Sequence, residues 1–150
     1  MSVFPAGCMI GRAVYQDPGL LHDCDERFYG KPANWKTWNE VLEEYFSYAA
    51  ELPDAKNNVL NMCVKPLHNI FSYQLRNREY KQKLNAAIIE ETKRVKARSK
   101  DHVVFCAGDG RVLEGLVRTA LEDTIKGEIL ETPIRNTRPT GSYHESVVRR

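Results

Sequence analysis

The sequence predicts an all-α protein, because apolar residues recur at steps of three and four along most of its length. Three such stretches run from Trp35 to Ala49, from Leu60 to Leu75 and from Tyr80 to Val95, and a fourth runs from Val112 to Ile125. Strands that alternate with these helices are missing from the pattern, so a sheet is not expected. The second and third stretches are joined by a short polar segment, which favours an antiparallel helical hairpin.

Composition and charge exclude several classes of protein. The chain has 150 residues, of which 42% are hydrophobic and 28% charged, and its net charge is +2. Such values are typical of one folded domain and not of a disordered or strongly basic chain. No apolar run approaches the roughly 18 residues that span a bilayer, and no leader pattern opens the chain. We therefore expect an unsecreted protein without a membrane span.

The cysteines and histidines do not predict a metal site or an active site. Cys8, Cys24, Cys63 and Cys106 are far apart, and no histidine is placed to complete a zinc set. No serine or cysteine has the setting of a recognised nucleophile. We expect free thiols in a reducing compartment, no metal, no cofactor and no enzymatic activity.

The first third of the chain reads as an arm followed by one helix. Proline and glycine interrupt every apolar cluster of residues 1–33, so this segment is predicted to wrap a core made elsewhere and to hold only short helices. The first long helix follows Asn34, buries Trp35 and Trp38, and ends at Leu52-Pro53. The two tryptophans could stack on bases, but their helical spacing favours a core or interface position.

Residues 54–105 are predicted to form the hairpin. Asp54 can cap its first helix, Pro66 should bend that helix without ending it, and Gln74–Arg78 should form the joint. The hairpin carries more apolar surface than its own pairing can cover, so we predict a second copy of the chain on it. The predicted dimer-interface residues are Leu60, Cys63, Val64, Leu67, Ile70, Phe71, Tyr80, Leu84 and Ile88.

The last helix is predicted within residues 109–127, with Gly127 in a left-handed cap. Pro133, Pro139 and Gly141 then favour an extended arm. A second interpretation takes Val103–Gly110 as a strand and a phosphate-binding turn, with Asp109 as a ribose or metal contact. That enzyme interpretation lacks further parallel strands, and a turn between helices is the simpler alternative.

Four motifs resemble the core proteins of hepadnaviruses, the hepatitis B-type viruses. The segment from Cys106 to Val117 is similar to the cysteine, Gly-Arg and Leu-Glu-x-Leu-Val sequence that opens the family's last core helix. Cys63 falls where the family has a cysteine within a helix. The remaining matches keep the family's order, and they are Met1-x-Val3-x-Pro5, Thr132-Pro133 with Arg138-Pro139, and Val147-Val148-Arg149-Arg150.

The resemblance implies a capsid protein whose residues 1–139 form the assembly domain. Two hairpins would pair into a four-helix bundle, and the homodimers would self-assemble into an icosahedral nucleocapsid around the viral genome. A two-fold axis beside Cys63 would allow an intersubunit disulfide on oxidation. The implied contacts between dimers are Leu116, Ala120, Thr132, Pro133, Ile134, Arg138 and Pro139.

The resemblance also implies a nucleic-acid partner and a location. Residues 140–150 would lead towards a basic tail that binds viral RNA or DNA, and Arg149 and Arg150 would lie near the nucleic acid. We expect the protein in the virion and in the cytoplasm or nucleus of the host cell. The chain departs from the family in Pro66 and in the absence of an aromatic residue between Pro133 and Pro139, where Ile134 or Tyr143 would substitute. These departures indicate a distant relative, such as the fish nackednaviruses. A dimeric helical regulatory or binding module that forms no shell is the alternative function.

Overall fold

The computed structural model describes residues 9–52, 59–98 and 110–137, and this part of the chain is predominantly α-helical with no strand, which confirms the predicted all-α class. Its one β-bridge, between Thr37 and Pro133, is isolated. Within the same residues, no helix combines the length and the apolar character that crossing a membrane requires. The helices are α1 (Gly11–Gln16), a 3₁₀ turn (Pro18–Leu21), α2 (Cys24–Tyr29), α3 (Trp38–Glu51), α4 (Val59–Leu67), α5 (Asn77–Arg98), α6 (Gly110–Leu121), α7 (Gly127–Glu131) and α8 (Ile134–Thr137).

Helix α3 begins at a capping box that the sequence analysis did not identify. The Thr37 hydroxyl accepts a hydrogen bond from the Glu40 amide at 3.2 Å, and the Glu40 carboxylate accepts one from the Thr37 amide at 2.8 Å. These two bonds satisfy backbone donors that have no partner within the helix. They also hold the pKa of Glu40 below its usual value. The helix therefore starts at Trp38, and Trp35 lies before it.

Helix α4 ends one residue after Pro66, so the prediction of a kinked helix that continues to Leu75 was wrong. Helix α4 stops at Leu67, and residues 68–76 form successive turns with bonds between residues three apart. Proline cannot donate to the preceding turn, and polar side chains beyond it bond to other backbone groups. The Asn69 side-chain amide donates to the Tyr15 backbone carbonyl at 2.9 Å, and the Ser72 hydroxyl donates to the Gln16 backbone carbonyl at 2.8 Å. The N-terminal arm thus contacts the turn segment.

An aromatic cluster lies where α4 ends and α5 begins. The hairpin predicted for these two helices stays a prediction, because α5 packs mainly against α6. The buried Tyr80 hydroxyl donates to the Leu67 carbonyl at 3.1 Å, so the end of α4 lies beside the start of α5. Phe71 packs between Tyr80 and Trp38, with ring centroids 5.2 Å and 5.6 Å away and both contacts edge-on. Such edge-on pairs stabilise a core beyond the area that they bury. We call this cluster, at the end of α4 and the starts of α3 and α5, the aromatic end.

Helix α6 is the centre of the fold, because it packs against α3, α4 and α5. Its apolar face buries Leu113, Val117, Ala120 and Leu121 in the same core as the hairpin residues. The end of α6 lies near the starts of α3 and α5, which indicates that it runs opposite to both. Arg118 donates to the Asn39 side chain at 2.8 Å, and Lys83 donates to the Glu122 carbonyl at 2.8 Å.

The exit from α6 differs from the prediction. The helix ends at Leu121, and Asp123 adopts the left-handed conformation, with φ 59°, that was expected of Gly127. Aspartate tolerates this conformation better than most residues because its short polar side chain can bond locally. Gly127 instead opens α7, and α7 and α8 occupy the first part of the predicted extended arm.

Two neighbouring isoleucines of α5 provide a test of this packing. Ile88 is 8% exposed in the core, whereas Ile89 is 55% exposed. We expect Ile88→Ala to lower the free energy of unfolding by about 2–5 kcal/mol, because it removes buried methyl groups and leaves a cavity. The control Ile89→Ala should change it by no more than about 0.5 kcal/mol. Urea denaturation at low protein concentration measures both, and equal losses would contradict the packing.

Candidate self-association surfaces

The predicted dimer-interface residues lie in the core of the single chain. All of them except Leu60, whose side chain is outside the described residues, are buried, and Tyr80 and Leu84 have no exposed surface. The sequence interpretation left this stripe open for a second copy because it assigned α6 to contacts between dimers. In the structure, α6 and α3 cover the stripe instead. A contact of these side chains with a second copy stays a prediction, and it would require the chain to rearrange.

Other apolar side chains of the hairpin remain exposed. Met62 on α4 is 65% exposed, and Ile89 on α5 is about as exposed. Ile89 lies about 14 Å along α5 from Tyr80, at 1.5 Å per residue, and so lies away from the aromatic end of the molecule. Met62 is next to Cys63, which contacts Tyr45 in the second half of α3. Both residues are therefore available for a contact made away from the aromatic end.

Cys63, the candidate for an intersubunit disulfide, is a free and buried thiol. The Tyr45 hydroxyl donates to the Cys63 carbonyl at 2.7 Å and ties α4 to α3. Burial raises the pKa of the Cys63 thiol, because a thiolate loses hydration in an apolar setting. Burial likewise raises the pKa of Tyr45 to about 12. In this conformation the thiol is protonated and shielded at neutral pH.

The residues predicted to form contacts between dimers differ in how deeply they are buried. Ala120 and Ile134 are buried, Leu116, Thr132 and Pro133 are half-buried, and Arg138 and Pro139 lie outside the described residues. Arg149 and Arg150, predicted to lie near nucleic acid, are also outside them. The half-buried residues retain surface for a second copy, whereas Ala120 and Ile134 contribute to the core.

Helix α8 is fixed to the aromatic end of the molecule by three hydrogen bonds. The Ile134 amide donates to the Lys36 carbonyl at 3.0 Å. The Trp38 indole donates to the Thr137 hydroxyl at 3.3 Å, and the Gln74 side-chain amide donates to the Thr137 backbone carbonyl at 2.8 Å. These bonds join three segments that are far apart in sequence. The last described residues are therefore part of the folded unit.

Three exposed aromatic side chains lie on α2 and just before α3, and one of them, Trp35, contacts Arg135 of α8. Phe28, Tyr29 and Trp35 are 76%, 74% and 60% exposed, and we call these three residues the aromatic patch. The Arg135 guanidinium stacks over the Trp35 ring at 4.6 Å, and its Nη2 lies 3.3 Å from Glu26 Oε2. Glu26 is three residues before Tyr29 on α2, so both lie on one side of that helix. Arg135 thus connects Trp35 to α2.

The cations around the aromatic patch are paired with carboxylates of the same chain. Each pair joins a lysine or arginine near the patch to an aspartate or glutamate. The pairs are Arg27 with Asp23, Lys31 with Asp25 at 2.9 Å, Lys36 with Glu44 at 2.7 Å, and Arg135 with Glu26.

The sequence analysis did not identify the aromatic patch. It placed Trp35 on the buried face of a helix with Trp38, and it passed over Phe28 and Tyr29. The signal was present, because two adjacent aromatics cannot both face inwards from a single short helical turn. Gly30 follows them in a left-handed conformation with φ 61° and ends α2 at once.

The described residues hold no side-chain cluster placed to bind a metal ion. Across residues 9–52, 59–98 and 110–137, no group of three or more His, Cys, Asp or Glu side chains is placed to hold a metal ion. The segment from Val103 to Asp109, which carries the alternative nucleotide-binding interpretation, lies outside those ranges. The surfaces described above are therefore the candidate functional sites.

Comparisons of the chain with protein-family models, with curated proteins and with solved structures found no match in any of the three. The resemblance to hepadnavirus core proteins accordingly depends on the sequence motifs quoted above.

Alkylation of Cys63 tests its placement. We expect iodoacetamide at pH 8 to modify Cys63 much more slowly in the native protein than in urea, because the thiol is buried and its raised pKa leaves little thiolate. Peptide mass spectrometry measures the rate for each cysteine, and the half-buried Cys24 serves as the internal control. Equal native rates for the two cysteines would show that α4 opens readily or packs differently.

Proposed function

We propose that this chain is a non-enzymatic viral capsid protein that forms homodimers, and that the dimers self-assemble into an icosahedral shell around the viral genome. The observation that carries the proposal is that large apolar side chains are exposed on α2, α4 and α5 of one all-α unit and just before α3. A closed shell needs such an arrangement, because a two-fold contact alone yields only a dimer. The ordered motifs of the sequence favour the hepadnavirus-like class among shell proteins.

The hairpin supplies the first place. Met62 and Ile89 are exposed on its two arms, and a two-fold contact there would bring each residue towards a second copy. This version of the dimer leaves the buried stripe inside each chain, and it does not require the Cys63 thiols to meet. An obligate dimer needs more apolar area than these two side chains provide.

The aromatic end supplies the second place. Half-buried Thr132 and Pro133 lie between α7 and α8, next to the aromatic patch. Contacts between dimers should be individually weak, because a growing shell must be able to release misplaced subunits. The location that follows is the virion and the cytoplasm or nucleus of the host cell. Nucleic acid would be bound through basic residues such as Arg149 and Arg150.

One observation favours the second candidate, a dimeric helical binding module without a shell. The hairpin stripe is covered within the chain, so a single copy already has a closed core. A protein with a closed core can act as a discrete monomer or dimer that binds another partner. The two candidates differ in the mass of the assembled state.

Light scattering and electron microscopy of the purified chain at increasing NaCl concentration test the proposal. We expect closed, hollow particles without added nucleic acid, because salt screens the repulsion between subunits of net charge +2 and leaves apolar contacts intact. Particles that stop at the mass of a dimer would indicate the binding module. Monomers at every salt concentration that are stabilised against heat by a nucleotide would contradict the capsid proposal and support the nucleotide-binding alternative.

A further inference from the structure

We infer that the N-terminal arm and α8 dock onto the folded unit cooperatively, so that releasing either element loosens the other. Two features of the structure connect them, the Trp38 ring and the turn segment of residues 68–76, and a direct ion pair adds a third connection. The inference goes beyond the proposed function, because it applies to a capsid protein and to a binding module alike. It describes a conformational device within one chain.

The Trp38 ring is the first connection. A Cβ placed on Gly19, in the 3₁₀ turn of the arm, would lie 3.3 Å from both Cζ2 and Cη2 of that ring. The arm backbone therefore lies against the indole at a position where any larger residue requires a displacement. The nitrogen of the same ring system donates to the Thr137 hydroxyl at the end of α8. Because an indole is rigid, a shift of the carbons that face the arm also shifts the nitrogen that holds α8.

The turn segment is the second connection. Its Asn69 and Ser72 side chains donate to two backbone carbonyls at the end of α1, at 2.9 Å and 2.8 Å. Slightly further along the same segment, the Gln74 side chain donates to the Thr137 backbone carbonyl at 2.8 Å. Loss of the arm would remove two of the bonds that order the segment, and the position of Gln74 depends on that order.

The third connection is direct. Arg135 Nη2 of α8 lies 3.3 Å from Oε2 of Glu26, which belongs to the α2 helix of the arm. Undocking of the arm would take this carboxylate away from the arginine, and undocking of α8 would take the arginine away from the carboxylate. Each of the three connections is thus weakened whichever element leaves first.

Neither element can be stable by itself. Helix α8 has four residues, and α1 and the 3₁₀ turn of the arm have six and four. Isolated helices shorter than about 12 residues are marginal in water, so both elements are ordered by their contacts with the rest of the chain. A molecule that binds the released arm would therefore also uncover Ile134 of α8, which is 4% exposed in the docked state.

Native-state hydrogen exchange followed by NMR measures both elements in one sample, under conditions in which light scattering detects no association. The Leu20 amide, which donates to the Asp17 carbonyl at 3.0 Å, reports the arm. The Ile134 amide, which donates to the Lys36 carbonyl at 3.0 Å, reports α8. The amide of Ile88, within α5, reports unfolding of the whole chain.

The variant Gly19→Val places methyl groups against the Trp38 ring and should undock the arm. We expect the protection factors of Leu20 and Ile134 both to fall about tenfold or more, a factor within the usual range of coupling between sites. Both should remain below the protection factor of Ile88. The matched control is Gly11→Val, which adds the same side chain to the same arm where a Cβ meets nothing within 4 Å.

The reverse experiment starts from α8. Thr137→Val removes the hydroxyl that accepts from Trp38, whereas the control Thr137→Ser keeps it. Because coupling between two sites is reciprocal, we expect Thr137→Val to lower the protection factor of Leu20 in the arm, and Thr137→Ser to leave it within about twofold of the parent.

Three results would overturn the inference. Loss of protection confined to Leu20 in Gly19→Val, or confined to Ile134 in Thr137→Val, would show that each element opens alone. Protection of both amides equal to that of Ile88 would show that they open only with the whole chain. Unchanged protection of Leu20 in Gly19→Val would show that the arm does not lie against Trp38. None of these measurements depends on self-association, so the capsid proposal is tested separately.

Discussion

The fold depends on the burial of one face of α6 between its neighbours. Val117 and Ala120 have no exposed surface. The helices that pack against α6 are α3, α4 and α5, and all three precede it in the sequence. Without α6 the apolar side of the hairpin would be open to water, and the chain would need another molecule to cover it. With α6 in place, the hairpin belongs to a closed core, and contacts with other molecules are left to residues outside that core.

This constraint divides the apolar residues into two groups with different roles. Residues such as Phe71 and Tyr80 hold the chain together and cannot reach another molecule without unfolding. Residues such as Trp35 and Ile89 are mostly exposed, so packing in the core does not explain why they are apolar.

The sequence was sufficient for the fold class and for most of the buried positions. Helical spacing correctly placed Leu42, Leu84 and Val117 in the core, because a step of three or four puts them on one face. It could not show which face meets which neighbour, and so it assigned to a second copy the surface that α6 covers.

The remaining differences between the prediction and the structure have local causes. Pro66 ended a helix whose apolar pattern continued, since the pattern does not show that Asn69 and Ser72 bond to the N-terminal arm. Asp123 took the left-handed position before Gly127 was reached. The aromatic patch was missed because residue type alone does not show whether an aromatic side chain is buried or exposed.

The hydrogen bonds to Thr137 have a practical consequence for anyone who modifies the protein. Trp38 and Gln74 bond to this residue from distant parts of the sequence, so the position of Thr137 is fixed by the folded body. A dye or other small group attached beside this residue would take the same position on every copy. In a regular array of copies, the attached groups would then follow the spacing of the array.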